Sequence, residues 1–175
     1  MKIDDTPKGF IITDFNELDA YSIACKIEKD GIWFYSRLID KIDNKEAKKT
    51  LNFLIDEERK HLAFFENRLF EIRARSREDD KNKDLLGSID YKIFYPYKDM
   101  KYLEVEIDKG IIALGLGLIV EDKSIKFYKA CKNAVSSQKT KEELQNIIEE
   151  EDRHKYFLQS MLHTFRQGEE ESNTE

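Results

Sequence analysis

The sequence predicts an all-α protein, a four-helix bundle of two helical hairpins joined by a long crossover. Three observations carry this expectation. Of 175 residues only 7 are Gly and 2 are Pro, while 38% are charged, a composition that favours long helices over sheet. Apolar residues recur at helical spacing in four long stretches. A set of polar residues embedded in those stretches occurs twice, ninety-three positions apart. Neither hairpin can bury its apolar face alone, so the two copies should pack into one bundle with pseudo-twofold symmetry. The length suits a single domain with enough chain to bury a core.

In chain order, residues 1–13 read as a loose N-terminal lead-in, and the bundle is expected over 14–167. Asp14 with Glu17 reads as a capping box opening the first helix, 15–43. Its apolar face holds Leu18, Tyr21, Ala24, Cys25, Ile32, Tyr35 and Ile39, with Glu28 at the centre. A short polar break, Asp43-Asn44-Lys45, suits an antiparallel hairpin. The second helix, 45–75, carries Leu51, Leu54, Ile55, Leu62, Phe65 and Leu69 around Glu58 and His61. Residues 76–107 form the crossover, polar at first and then aromatic and alternating over 89–97, where Pro96 excludes a regular helix. Those aromatics are expected to pack or to form a dimer contact. The third helix, 108–134, places Glu121 among Leu114, Gly117, Leu118, Ile125 and Tyr128. After a turn at Ser136-Ser137-Gln138, the fourth, 141–165, carries Glu151 and His154. Residues 168–175 read as a disordered acidic tail.

Several function classes are disfavoured. The net charge of -6, with acids and lysines interleaved, argues against nucleic acid. The longest apolar run, 111–120, is too short to span a bilayer, so no membrane partner is expected. Two cysteines without a Cys-x-x-Cys suit a reducing compartment and offer neither a disulfide framework nor a thiolate site. With no signal-peptide pattern, the expected location is cytoplasmic. Cys25 reads as a small packing residue and His163 as a surface residue.

The chemistry lies in the repeat. Glu57-Glu58-x-x-His61 returns as Glu150-Glu151-x-x-His154, and Glu28 lies thirty residues before Glu58 as Glu121 does before Glu151. Residues three apart on a helix share a face, so each Glu-x-x-His can aim a carboxylate and an imidazole at one point. One copy on a charge-rich helix would fit a solvated face. Two copies at one offset, with Glu28 and Glu121 inside apolar stripes, point to ligands, because lone buried carboxylates are costly. Four carboxylates and two imidazoles, Glu28, Glu58, His61, Glu121, Glu151 and His154, suit two divalent first-row ions. Fe(II) or Mn(II) fits oxygen-rich ligation with one imidazole per ion, iron being the redox-capable choice. Tyr35 and Tyr128, seven after Glu28 and Glu121, could either hydrogen-bond ligating carboxylates or be ordinary core tyrosines. Glu57 and Glu150 read as stripe-edge residues or as outer support for the ligands.

At these residues the chain resembles the ferritin-like superfamily and, within it, the rubrerythrin-like proteins. The similarity covers Ala24-x-x-x-Glu28-x-x-x-x-x-Phe34-Tyr35 with Glu57-Glu58-x-x-His61. It continues in Glu121-x-x-x-x-x-Phe127-Tyr128 with Glu150-Glu151-x-x-His154. The resemblance implies a carboxylate-bridged di-iron centre reacting with hydrogen peroxide or dioxygen, with Glu58 and Glu151 bridging and Glu28 and Glu121 terminal. Two departures stand out. The Cys-x-x-Cys pairs of the rubredoxin-like domain are missing, so a separate electron-donor protein is expected. No acid shares the face of Glu121, where rubrerythrins carry an extra carboxylate, and this shifts the pattern toward the six-ligand ferritin site. The expected function is a di-iron oxidoreductase that scavenges peroxide or oxygen in oxidative stress, as a homodimer. The alternatives are a ferroxidase in iron storage and a non-catalytic bundle stabilised by its metals.

Overall fold

The computed structural model describes residues 2–6, 9–75 and 109–172. Four helices, α1 (Glu17–Lys41), α2 (Lys45–Arg75), α3 (Lys109–Ala134) and α4 (Gln138–Ser172), make the bundle. The helix pairs α1–α2 and α3–α4 are the two hairpins, and across the hairpin boundary α1 and α2 both pack on α3 while α2 also packs on α4. The four-helix, all-α expectation holds, whereas the crossover 76–107 lies outside the described residues.

Helix starts are set by short polar side chains. Asn16 accepts from the Asp19 amide at 2.8 Å while Asp19 accepts from the Asn16 amide at 3.3 Å, a reciprocal capping box. This corrects the expected box of Asp14 with Glu17. Asp14 has φ 52, a left-handed conformation that aspartate tolerates but a cap does not use, since the N-cap backbone is extended. Asn44 opens α2 by accepting from the Glu46 and Ala47 amides at 3.1 and 2.9 Å. Ser137 accepts from the Thr140 amide at 3.3 Å, so α4 begins three residues earlier than expected. It also continues to Ser172, beyond the expected end at 165 and into the stretch expected to be a disordered tail.

The lead-in is not loose. It is an antiparallel hairpin of β1 (Lys2–Thr6) and β2 (Gly9–Thr13), with Lys2 opposite Thr13 and Thr6 opposite Gly9. Period-two alternation explains its docking. Ile12 is buried and Ile11 exposed, and Phe10 packs edge-on against Phe127 of α3 with ring centroids 5.3 Å apart.

The core runs the length of the bundle through Phe34, Leu38, Leu51, Leu54, Phe65, Leu114, Leu144 and Leu158, all fully buried. Near one end, Tyr21 and Arg68 of the first hairpin both donate to the Glu143 carboxylate of α4, a charge-assisted tie between the halves. Among the described residues no helix is long and apolar enough to cross a membrane.

Phe65 is fully buried, with its ring centroid 5.9 Å from that of Tyr128 and 6.2 Å from that of Tyr21. Phe65→Ala should destabilise the fold by about 3–5 kcal/mol, read as a lower denaturant midpoint at constant slope. An unchanged midpoint would contradict this packing.

Candidate metal centre

Each hairpin delivers one half of a polar cluster at mid-bundle. Glu28 and Glu121 sit on α1 and α3, inside stripes whose other members are mostly apolar. Glu58 and His61 lie one turn apart on α2, as do Glu151 and His154 on α4. All six are buried, from 0% exposure for Glu28 to 5% for Glu58. Their ligand-capable atoms form two groups, Glu28, Glu58, His61 and Glu151 on one side and Glu58, Glu121, Glu151 and His154 on the other. Within each group those atoms lie within 4.8 Å of one another. Glu58 and Glu151 belong to both groups. The two imidazoles lie side by side, ring centroids 5.4 Å apart and planes 22° from parallel.

The tyrosines reach these carboxylates crosswise. Tyr35 of α1 donates to Glu121 Oε1 of α3, and Tyr128 of α3 donates to Glu28 Oε1 of α1. Each hairpin thus anchors the other's carboxylate. Burial, and then the charge of Glu121 or Glu28, pushes the two phenols well above their usual range, so both stay protonated donors. Gly117 gives Tyr35 its room, since a Cβ there would stand 3.3 Å from Tyr35 Cε1 and 3.4 Å from Leu158 Cδ1.

The cluster carries more negative charge than its own cations balance. Burial, then the nearby charges of Glu28 and Glu151, raises the Glu58 carboxyl well above the usual range. Burial and then Glu151 do the same to Glu121. Burial opposes charge on His61, but the surrounding carboxylates of Glu151, Glu28 and Glu58 outweigh it and raise that imidazole strongly. Burial likewise opposes charge on Glu151, yet the hydrogen bond with His154 and the neighbouring His61 imidazole outweigh it and hold that carboxyl well below its ordinary value.

Two buried atoms, Glu28 Oε2 and His61 Nδ1, have no hydrogen-bond partner among the described residues. They face each other at 3.7 Å, too far for a hydrogen bond and near enough for one ion to meet both. Buried polar atoms are rarely left unpartnered. The orphaned pair and the carboxylate–imidazole donor set fit a divalent metal, and the paired groups fit a di-iron site.

Sequence reasoning underrated one residue. Glu150, read as an edge residue or outer support, lies with Oε2 2.7 Å from His61 Nε2 across the hairpin boundary. Its repeat partner Glu57 instead pairs with Lys60 on its own helix. The Glu-Glu doublet that opens each Glu-x-x-His was the available signal, but spacing alone could not say which first glutamate would meet a histidine of the other hairpin. Cys25 and Cys131 are both buried and free, and Cys25 takes its expected place in the core.

A group whose pKa is raised by folding stabilises the fold fully below its unfolded value, and that contribution is lost as pH rises toward the folded value. For Glu58 and Glu121 the loss begins above about 4.3, and for His61 above about 6.5. The contribution of Glu151, with its lowered value, is complete above the unfolded carboxylate range and does not offset this loss. Metal-free protein should therefore melt at progressively lower temperature from about pH 5 to pH 8, measured by thermal circular dichroism with a chelator. A divalent ion in excess should flatten the slope, and a rising profile without metal would contradict the charge assignment.

The rubrerythrin family model matches residues 4–84, which take in all of α1 and α2 and the β-hairpin from Asp4 onward. No curated protein and no solved structure matches the chain. The matched stretch supplies Glu28, Glu58 and His61, and the second hairpin repeats that pattern in the same buried cluster. Residues 4–84 thus match the rubrerythrin family model, a match consistent with a ferritin-like, rubrerythrin-type domain, within a chain whose described helices form a four-helix bundle.

Proposed function

We propose that this chain is a di-iron oxidoreductase that couples the oxidation of Fe(II) to the reduction of hydrogen peroxide or dioxygen, with electrons drawn from a separate donor protein. The observation that carries the reading is the pair of buried four-residue groups sharing Glu58 and Glu151. That sharing supports Glu58 and Glu151 as bridging ligands, with Glu28 and His61 completing one ion's set and Glu121 and His154 the other's. Four carboxylates then balance two divalent charges. Bound iron would supply the redox chemistry and open coordination positions for the oxidant.

The protein's own contribution is placement. Tyr35 and Tyr128 each hold one oxygen of the Glu121 and Glu28 carboxylates, and the second oxygen, such as the orphaned Glu28 Oε2, would be available to hold an ion. Packing around the cluster excludes bulk water, so little reorganisation is needed when charge at the site changes.

A second reading, a ferroxidase handling iron, draws on the flanks of the terminal glutamates. Three residues after each stand Gly31 and Ser124, and a Cβ at Gly31 would already stand 3.5 Å from Glu58 Cδ. No extra carboxylate therefore accompanies the six at these positions. Turnover separates the two. Steady peroxide consumption with a reductant favours the oxidoreductase, whereas Fe(II) oxidation in a large hollow assembly without such consumption favours the ferroxidase.

Elemental analysis of the native protein with its visible spectrum should give about two irons per chain, the number that such paired carboxylate–imidazole sites hold. His61→Ala and His154→Ala should each lower bound iron, and unchanged stoichiometry in both variants would overturn the ligand assignment. Iron-loaded protein should melt above metal-free protein.

A further inference from the structure

The two halves of the cluster repeat in sequence but differ in what stands outside each imidazole. Outside His61 is Glu150, whose Oε2 lies 2.7 Å from His61 Nε2 and whose Oε1 lies 3.4 Å from an Arg153 amino nitrogen. Outside His154 is the Phe53 ring, edge-on with centroids 6.3 Å apart and itself packed on Phe157 at 5.2 Å. The second repeat has Asn146 where the first has Phe53. Asn146 and Glu150 help line a cleft of about 540 Å³ that reaches His61. One imidazole backs onto a carboxylate in an open cleft, the other onto an aromatic pair.

An imidazole that donates from Nε2 to a carboxylate has its tautomer set, keeps its Nδ1 lone pair for a metal, and is the stronger ligand for it. Nδ1 is the His61 atom left without a partner, and it faces the equally orphaned Glu28 Oε2. We propose that Glu150 is a positioning residue that makes the two metal positions inequivalent, so that the position served by His61 binds a divalent ion more tightly than the one served by His154. This rests on the di-metal reading above and adds an order of affinity to it.

The test is an anaerobic titration of metal-free full chain with Co(II), followed by its visible absorption, in the wild type, Glu150→Ala, Glu150→Gln and Glu57→Ala. The wild type should fill in two phases. Glu150→Ala should weaken the tighter phase by about 10–100-fold while metal-free melting stays at the wild-type value. Glu150→Gln, whose amide oxygen still accepts from Nε2–H, should recover part of that loss. If Glu150→Ala fails to fold, Glu150→Gln decides by a smaller loss confined to the tighter phase. Glu57→Ala should leave both phases in place. Two equal phases in the wild type, an unaltered tighter phase in both Glu150 variants, or the same loss in Glu57→Ala would overturn the proposal alone. A wild type that takes up no Co(II) would overturn it together with the di-metal reading.

Discussion

The structure depends on keeping like charges together in a dry place. Glu28, Glu58, Glu121 and Glu151 are all at most 5% exposed, and their oxygens crowd into two overlapping groups. Two unit charges 4 Å apart repel by about 4 kcal/mol at an effective dielectric of 20. A few such pairs match the whole net stability of a domain, about 5–15 kcal/mol. Apolar packing above and below the cluster cannot absorb that cost, so cations or protons must be present. The strong proton affinity of His61, Glu58 and Glu121 expresses the same field that a divalent ion would meet.

The rest of the fold holds this arrangement in place. Helices deliver ligands at fixed spacing, and caps at Asn16, Asn44 and Ser137 set where α1, α2 and α4 begin. The crosswise tyrosine bonds and the tie of Tyr21 and Arg68 to Glu143 all run between hairpins. Sliding one hairpin along the other would break these bonds together, which gives the bundle a register that apolar contacts alone specify loosely. The β-hairpin, packed on α3 through Phe10, covers part of the outer face of the second hairpin.

Duplication makes the centre nearly symmetric, and small differences outside it break that symmetry. Phe53 against Asn146, and a Glu57 paired with Lys60 against a Glu150 paired with His61, leave one side of the cluster approached by a cleft and the other backed by aromatic rings. In a duplicated fold, such unmatched positions carry information that the matched ligands cannot.

Much of this protein was legible in its sequence, and the reason is periodicity. Four helices, the offset of ninety-three residues, and the placing of Glu28, Glu58, His61, Glu121, Glu151 and His154 on core-facing stripes all follow from spacings within a single helix. What lay beyond reach depends on neighbours from elsewhere in the chain. The strands at Lys2–Thr6 and Gly9–Thr13 are short, and they gain stability only by pairing and docking on α3. The shift of the cap from Asp14 to Asn16 follows from how that hairpin feeds into α1. That Tyr35 serves Glu121 rather than Glu28, and that Glu150 rather than Glu57 meets a histidine, is decided by the packing of one hairpin against the other. Sequence determined which side chains share a helix face. Only tertiary structure decided which faces meet, because a contact across the bundle is set by the rotation and height of two helices at once.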